Sequence, residues 1–195
     1  ALKMRSALYY GDYQRAIDAS KAIIALGQYD LDPSFENLFT IAGQGSKEII
    51  ASVQRDENLY DNWMIGTMYN NADGGWSSMV PTQNLVDAYE MSNGLTKEEA
   101  GSGYDATHPY ANRDPRMAMT VLFPGMDWEG GILNTLDATI DGNKNPNNPD
   151  DADNASKTAL TWGKYLSDKS QYTDMWATRA AMIIFSYAEL LLSYA

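Results

Sequence analysis

Ala7-Leu8-Tyr9-Tyr10-Gly11-Asp12-Tyr13-Gln14-Arg15-Ala16-Ile17 sets how the chain starts to fold. Leu2, Ser6, Tyr9 and Tyr10 share one side of a first helix, and Gly11 permits the sharp reversal that ends it. Asp12 is placed to cap a second helix, in which Ala16, Ala19, Ile23 and Leu26 recur at helical spacing before Gly27 closes it. The string matches the turn of a tetratricopeptide unit, with Tyr13 expected to wedge between the helices and Ala16 to let them approach. One such unit cannot bury its own face and needs neighbours.

Downstream, residues 33–39 read as a short helical or turn segment, and Lys47-Glu48-Ile49-Ile50-Ala51-Ser52-Val53-Gln54 as a buried strand with polar ends. Residues 55–80 show neither strand nor helix periodicity: Tyr60, Trp63, Tyr69 and Trp76 stand among Asn, Asp and Gly, as in a long functional loop. Pro81 is expected to open a helix that stops at Asn93-Gly94. Residues 92–113 read as loop, residues 117–123 as a strand, residues 141–153 as a solvated excursion and residues 174–195 as a closing helix. The expected fold is mainly α: a tetratricopeptide-like helical repeat frame with long irregular loops and a few short strands. Residues 1–195 are read as part of a single domain, with a helix pair at 1–30, a loop-rich centre at 31–173 and the helix at 174–195.

Composition narrows the functions. The 195 residues carry a formal charge of -12, which repels phosphate backbones and anionic lipid, so nucleic acid is not an expected partner. With no cysteine, disulfides, thiolate zinc sites and cysteine nucleophiles are excluded, and the chain holds no cysteine to carry a lipid. No signal peptide is visible, because Ala1-Leu2-Lys3-Met4 already reads as helix. The apolar stretch from Met175 carries Arg179 and Glu189 and reads as a core helix rather than a membrane span. Five Trp and thirteen Tyr against four Phe favour aromatics with one buried face and one face turned to water or a hydroxylated ligand.

Five segments in order resemble the SusD/RagB family. They are Gly11-Asp12-Tyr13; the strand at 47–54; Pro81-Thr82-Gln83-Asn84-Leu85-Val86-Asp87-Ala88-Tyr89 with Asn93-Gly94; Asn112-Arg113-Asp114-Pro115-Arg116-Met117; and Tyr187-Ala188-Glu189-Leu190-Leu191-Leu192-Ser193-Tyr194-Ala195. The resemblance implies a non-enzymatic, lipid-anchored, extracellular-facing protein of the outer membrane. Such a protein binds oligosaccharide, or in some members peptide, for a SusC-like TonB-dependent transporter. Members of the family are longer, so the chain is expected to be a fragment that touches the membrane only through an anchor outside it. Ser186 stands where the family commonly has arginine, which removes one expected ion pair and leaves the partner of Glu189 open.

The residues offer little for catalysis. A glycosidase needs two facing carboxyls, and Asp150, Asp151 and Asp153 sit in a hydrophilic stretch with nothing to desolvate them. Asp141, Asn143 and Asn145 have the spacing of an EF-hand start, but Pro146 replaces the turn glycine and Ala152 the bidentate glutamate. His108 is the only histidine, and Gly43-Gln44-Gly45 lacks the third glycine of a phosphate loop. Neither a metal nor another cofactor is expected. Asn112-Arg113-Asp114-Pro115-Arg116 reads as scaffold, its guanidiniums clamping carbonyls or carboxylates.

What remains is carbohydrate recognition. Sugars expose apolar faces ringed by hydroxyls, which a receptor meets with a stacked aromatic and amide or carboxylate groups at the edge. Trp63, Tyr69, Asn71, Asp73 and Trp76, with Tyr104 from the next loop, are the candidate glycan-binding residues, and Trp128 and Trp162 are weaker ones. These residues make glycan binding the expected function, and the family resemblance implies that it takes place at the cell surface. A helical-repeat scaffold for protein or peptide is the alternative, and an acid-pair glycosidase stands behind both.

Overall fold

Helices α1 (Leu2–Tyr10) and α2 (Tyr13–Ile24) form the expected pair. Gly11 takes the left-handed conformation at φ 83°, which returns its own N–H to Leu8 O and that of Asp12 to Ala7 O. Asp12 accepts the Arg15 N–H at 3.1 Å and so caps α2. Tyr13, however, is 66% exposed: the residues buried in the pair are Met4, Ala7, Ala16 and Ser20, and this small-residue seam leaves the ring outside.

The computed structural model describes residues 1–56, 63–140, 142–148, 154–166 and 169–195. The chain groups into two compact units, Ala1–Tyr60 with Arg179–Ala195, and Asp61–Thr178. The first holds α1, α2, α3 (Phe35–Leu38) and an antiparallel pair, β1 (Ile49–Val53) with β8 (Met182–Ser186), followed by α7 (Tyr187–Tyr194). The closing helix is thus shorter than expected. Ile183, Ile184 and Phe185 suit an extended, paired backbone, and β1 supplies the partner edge.

Ser186 then turns the chain into α7, its hydroxyl accepting the Glu189 N–H at 3.2 Å. The partner of Glu189 is Arg5, whose Nε and Nη2 fork onto its two carboxylate oxygens at 2.7 and 2.6 Å. The same guanidinium lies 3.9 Å above the Phe185 ring. One arginine therefore ties α1 to both β8 and α7.

The second unit contains α4 (Met64–Met68), α5 (Gln83–Asp87), α6 (Pro115–Thr120) and the short pairs β2 (Val121–Leu122) with β7 (Thr161–Trp162), β3 (Asp127–Trp128) with β4 (Gly131–Ile132), and β5 (Thr139–Ile140) with β6 (Asn143–Lys144). Among the described residues only α1, α2 and α7 exceed six residues and no second helical hairpin follows the first, so the fold is less helical than the sequence suggests. Residues 117–120 are helix rather than strand, because Asp114 caps α6 through the Arg116 N–H and Pro115 fills its first turn. Val86, Met117, Val121 and Leu160 make the core, with Tyr110 stacked on Phe123 at 4.1 Å beside it.

Arg113 holds this core together. It is 7% exposed and donates to Pro109 O at 3.0 Å and to Val86 O and Tyr89 O at 2.7 Å each. Three carbonyls at one guanidinium need its planar fork, which a lysine ammonium cannot reproduce. Arg113→Lys is expected to lower unfolding free energy by about 1–3 kcal/mol through the carbonyls it leaves unpaired. Urea unfolding of the two proteins checks this, and an unchanged midpoint would remove the clamp from the account.

Candidate functional site

α4 begins just after Trp63, and two other segments fix its backbone. Gly66 N–H donates to Met175 O, and Gly66 O accepts Trp76 N–H, both at 3.0 Å. Ser78 and Met79 donate to Thr67 O at 2.8 and 3.1 Å, and Ser77 to Tyr69 O at 3.0 Å. Carbonyls at the end of α4 that lack an intrahelical partner are satisfied in this way. Ser77 adopts φ 44°, a left-handed conformation costly for a side-chain-bearing residue and sustained here by the bonds around it.

The glycine at 66 is a steric requirement. A Cβ there would stand 2.4 Å from the Trp176 ring, so the indole can lie on α4 only because no side chain intervenes. Asp174 Oδ1 accepts the Trp176 N–H at 2.8 Å and fixes that turn. Three indoles consequently meet. Trp63 is set at 82° to Trp76 with centroids 5.8 Å apart, and at 84° to Trp176 at 6.2 Å. Trp76 and Trp176 are 4.5 Å apart and tilted by 50°. Trp63 is 51% and Trp76 43% exposed, whereas Trp176 is partly buried and backs them.

The other candidates lie elsewhere. Tyr69 is fully buried, which corrects its expected place against a sugar. Its hydroxyl donates to Leu166 O at 3.2 Å, and its ring packs edge-on to Tyr172 and tilted to Trp128. Asp73 is a junction: Oδ2 accepts from Asn70 Nδ2 and Trp128 Nε1, each at 2.6 Å, and Oδ1 faces Lys169 Nζ at 3.4 Å. Asn71 donates from Nδ2 to Pro146 O at 2.7 Å. Asn71 and Asp73 thus brace the turn that carries Trp76. Tyr104 joins a different cluster, with Lys97 Nζ 5.8 Å and Arg113 Cζ 5.9 Å from its ring centre.

The asparagine-rich stretch is less solvated than its composition suggests. Asn145, Asn147 and Asn148 are buried. Asn145 Nδ2 donates to Asn134 O at 3.1 Å and Asp137 O at 2.7 Å, while Asn147 Oδ1 accepts Ala72 N–H at 3.0 Å. Asp141, Asp150, Asp151 and Asp153 lie outside the described residues. Among the described residues, no group of three or more His, Cys, Asp or Glu is placed to hold a metal ion. His108 is exposed, its Nδ1 2.9 Å from Asp105 Oδ2. Hydrogen bonds from His108 and then Thr107 lower the Asp105 carboxyl to a pKa of about 2.

Trp176 was not legible as a site residue, because the apolar run from Met175 reads as a core helix. Gly66 gave no signal in a stretch that reads as loop, and its role shows only once α4 is seen to place it under the Trp176 ring.

The SusD family model matches residues 36–195, and the chain belongs to the SusD family. Its structure is similar to that of a SusD-like carbohydrate binding protein from Bacteroides fragilis, with a TM-score of 0.82 and 23% identity over 98% of this chain. A second SusD-like protein from the same organism gives a TM-score of 0.70 and 26% identity over 100% of this chain. The chain spans 37% and 41% of the lengths of those two proteins. No curated protein matches its sequence.

Gly66→Ala is expected to push Trp176 off α4 and destabilise the protein by about 1–3 kcal/mol, as overpacking does. Near-ultraviolet circular dichroism should lose tryptophan signal in step with the fall in melting temperature, and an unchanged spectrum would contradict the contact. A second expectation concerns pH. The folded-state pKa of Asp105 lies below its ordinary 3.8, so what its turn contributes is present above that value and lost as pH falls through about 2. Carboxyl carbon NMR should show Asp105 titrating near 2, and a midpoint near 4 would count against the His108 contact.

Proposed function

We propose that the chain is the glycan-binding part of a cell-surface nutrient receptor, with Trp63 and Trp76 as the stacking surface and Trp176 as its support. The observation that carries this reading is the pair of exposed indoles whose planes are fixed by contact with each other and with a third. A sugar face stacks on a ring whose orientation is already set, so little conformational freedom is lost on binding. Membership of the SusD family and the likeness to a SusD-like carbohydrate binding protein support the same direction. In this reading the protein performs no catalysis. It is tethered by lipid to the outer membrane, faces outward, and hands oligosaccharide to a SusC-like TonB-dependent transporter.

A second reading, peptide binding on the helical hairpin, has one observation in its favour. A groove of about 580 Å³ runs beside α1 and α2, lined by Lys3, Ser6, Ala7, Tyr10, Asp12 and Arg15. Its mixed charge suits a polar peptide as readily as a sugar.

Trp63→Ala and Trp76→Ala should each weaken oligosaccharide binding by about 1–3 kcal/mol without unfolding the protein. Calorimetric titration of the full-length protein against a saccharide panel, with reducing-end release assayed alongside, tests this. Wild-type affinity in both variants would move the site elsewhere, and release of reducing ends would make the protein an enzyme.

A further inference from the structure

The two open indoles do not form a shelf. Their planes are turned by 82° and their centres lie 5.8 Å apart, the edge of one ring packed towards the face of the other. A straight, ribbon-like glycan keeps the faces of successive rings near one plane. Binding several of its units by stacking therefore requires aromatic faces that are coplanar and spread along the chain. Here a sugar lying on either indole meets the other as a wall, and Trp176, at 84° to Trp63 and 50° to Trp76, adds no second platform in either plane.

We propose that this corner accepts one sugar ring at a time, at the end of a glycan or at a bend in it, and gains nothing from the length of a straight chain. The inference rests on the glycan-binding reading above and specifies the shape of ligand that the site takes. The orientations are held by structure: Gly66 seats Trp176, the Trp76 N–H is bonded to Gly66 O, and Trp63 directly precedes α4. A ligand that flattened the corner would have to break the ring contacts of Trp63 and Trp76 with each other and with Trp176.

The test is calorimetric titration of the full-length protein with matched dimers and hexamers of two kinds. Cellobiose, cellohexaose, mannobiose and mannohexaose represent straight chains; maltose, maltohexaose, laminaribiose and laminarihexaose represent curved ones. Each straight hexamer should bind within about threefold of its dimer. Among curved sugars, a hexamer well above its dimer would identify a bend as the occupant, and equal affinities would identify a chain end. Straight hexamers more than about tenfold tighter than their dimers, with binding lost in Trp63→Phe or Trp76→Ala, would overturn the single-ring corner and leave the glycan reading standing. No heat with any of the eight sugars, or binding untouched by both substitutions, would overturn the glycan reading of this site and the inference with it.

Discussion

The missing side chain at Gly66 lets the Trp176 ring rest on the backbone of α4, and the arrangement of the site follows from that contact. Three separate pieces of chain converge on this residue. Its N–H is bonded to Met175 O, its carbonyl to Trp76 N–H, and Trp63 begins the turn that contains it. Each tryptophan is thereby anchored through the main chain as well as through its ring. Anchoring of this kind separates a binding surface from an accident of exposure, because a ring already held in place loses little freedom when a ligand arrives.

In the turn that leads to Trp76, polar residues do work that composition alone would assign to a ligand. Asp73 gathers Asn70, Trp128 and Lys169, and Asn71 and Asn147 tie the same turn to residues 146 and 147. A polar group left unpaired as it is buried is costly, and these contacts lower that cost for the half-buried Asp73 and the buried Asn70 and Asn147. A loop of Asn, Asp and Gly lacks apolar side chains for a core of its own. Hydrogen bonds replace them, and buried Asn145 accordingly spends its amide on two backbone carbonyls.

This explains how far the sequence could be read. Family, the helical hairpin, the strand at 49–53 and the scaffold role of Arg113 were legible, since each depends on short-range patterns, whereas the contact of Trp63 with Trp76 emerges only in the structure. Tyr69 was misplaced because the sequence shows that a polar aromatic loop exists but not which of its faces points inward. Residues 174–195 misled for a related reason: an apolar run fits a buried helix or a strand equally, and the partner that decides is β1, far away in sequence. Glu189 found its cation in Arg5, a pairing across 184 positions that no local motif announces.

Exposure by itself distinguishes little here. Tyr9 and Tyr10 are 87% and 89% exposed, more than either candidate tryptophan. Trp63 and Trp76 are less exposed because each already spends part of its surface on another indole. That partial burial sets their angle, and the angle determines which sugar shapes can reach both rings together. Ring–ring packing that would pass for core structure in another setting therefore becomes the source of shape selectivity at a surface.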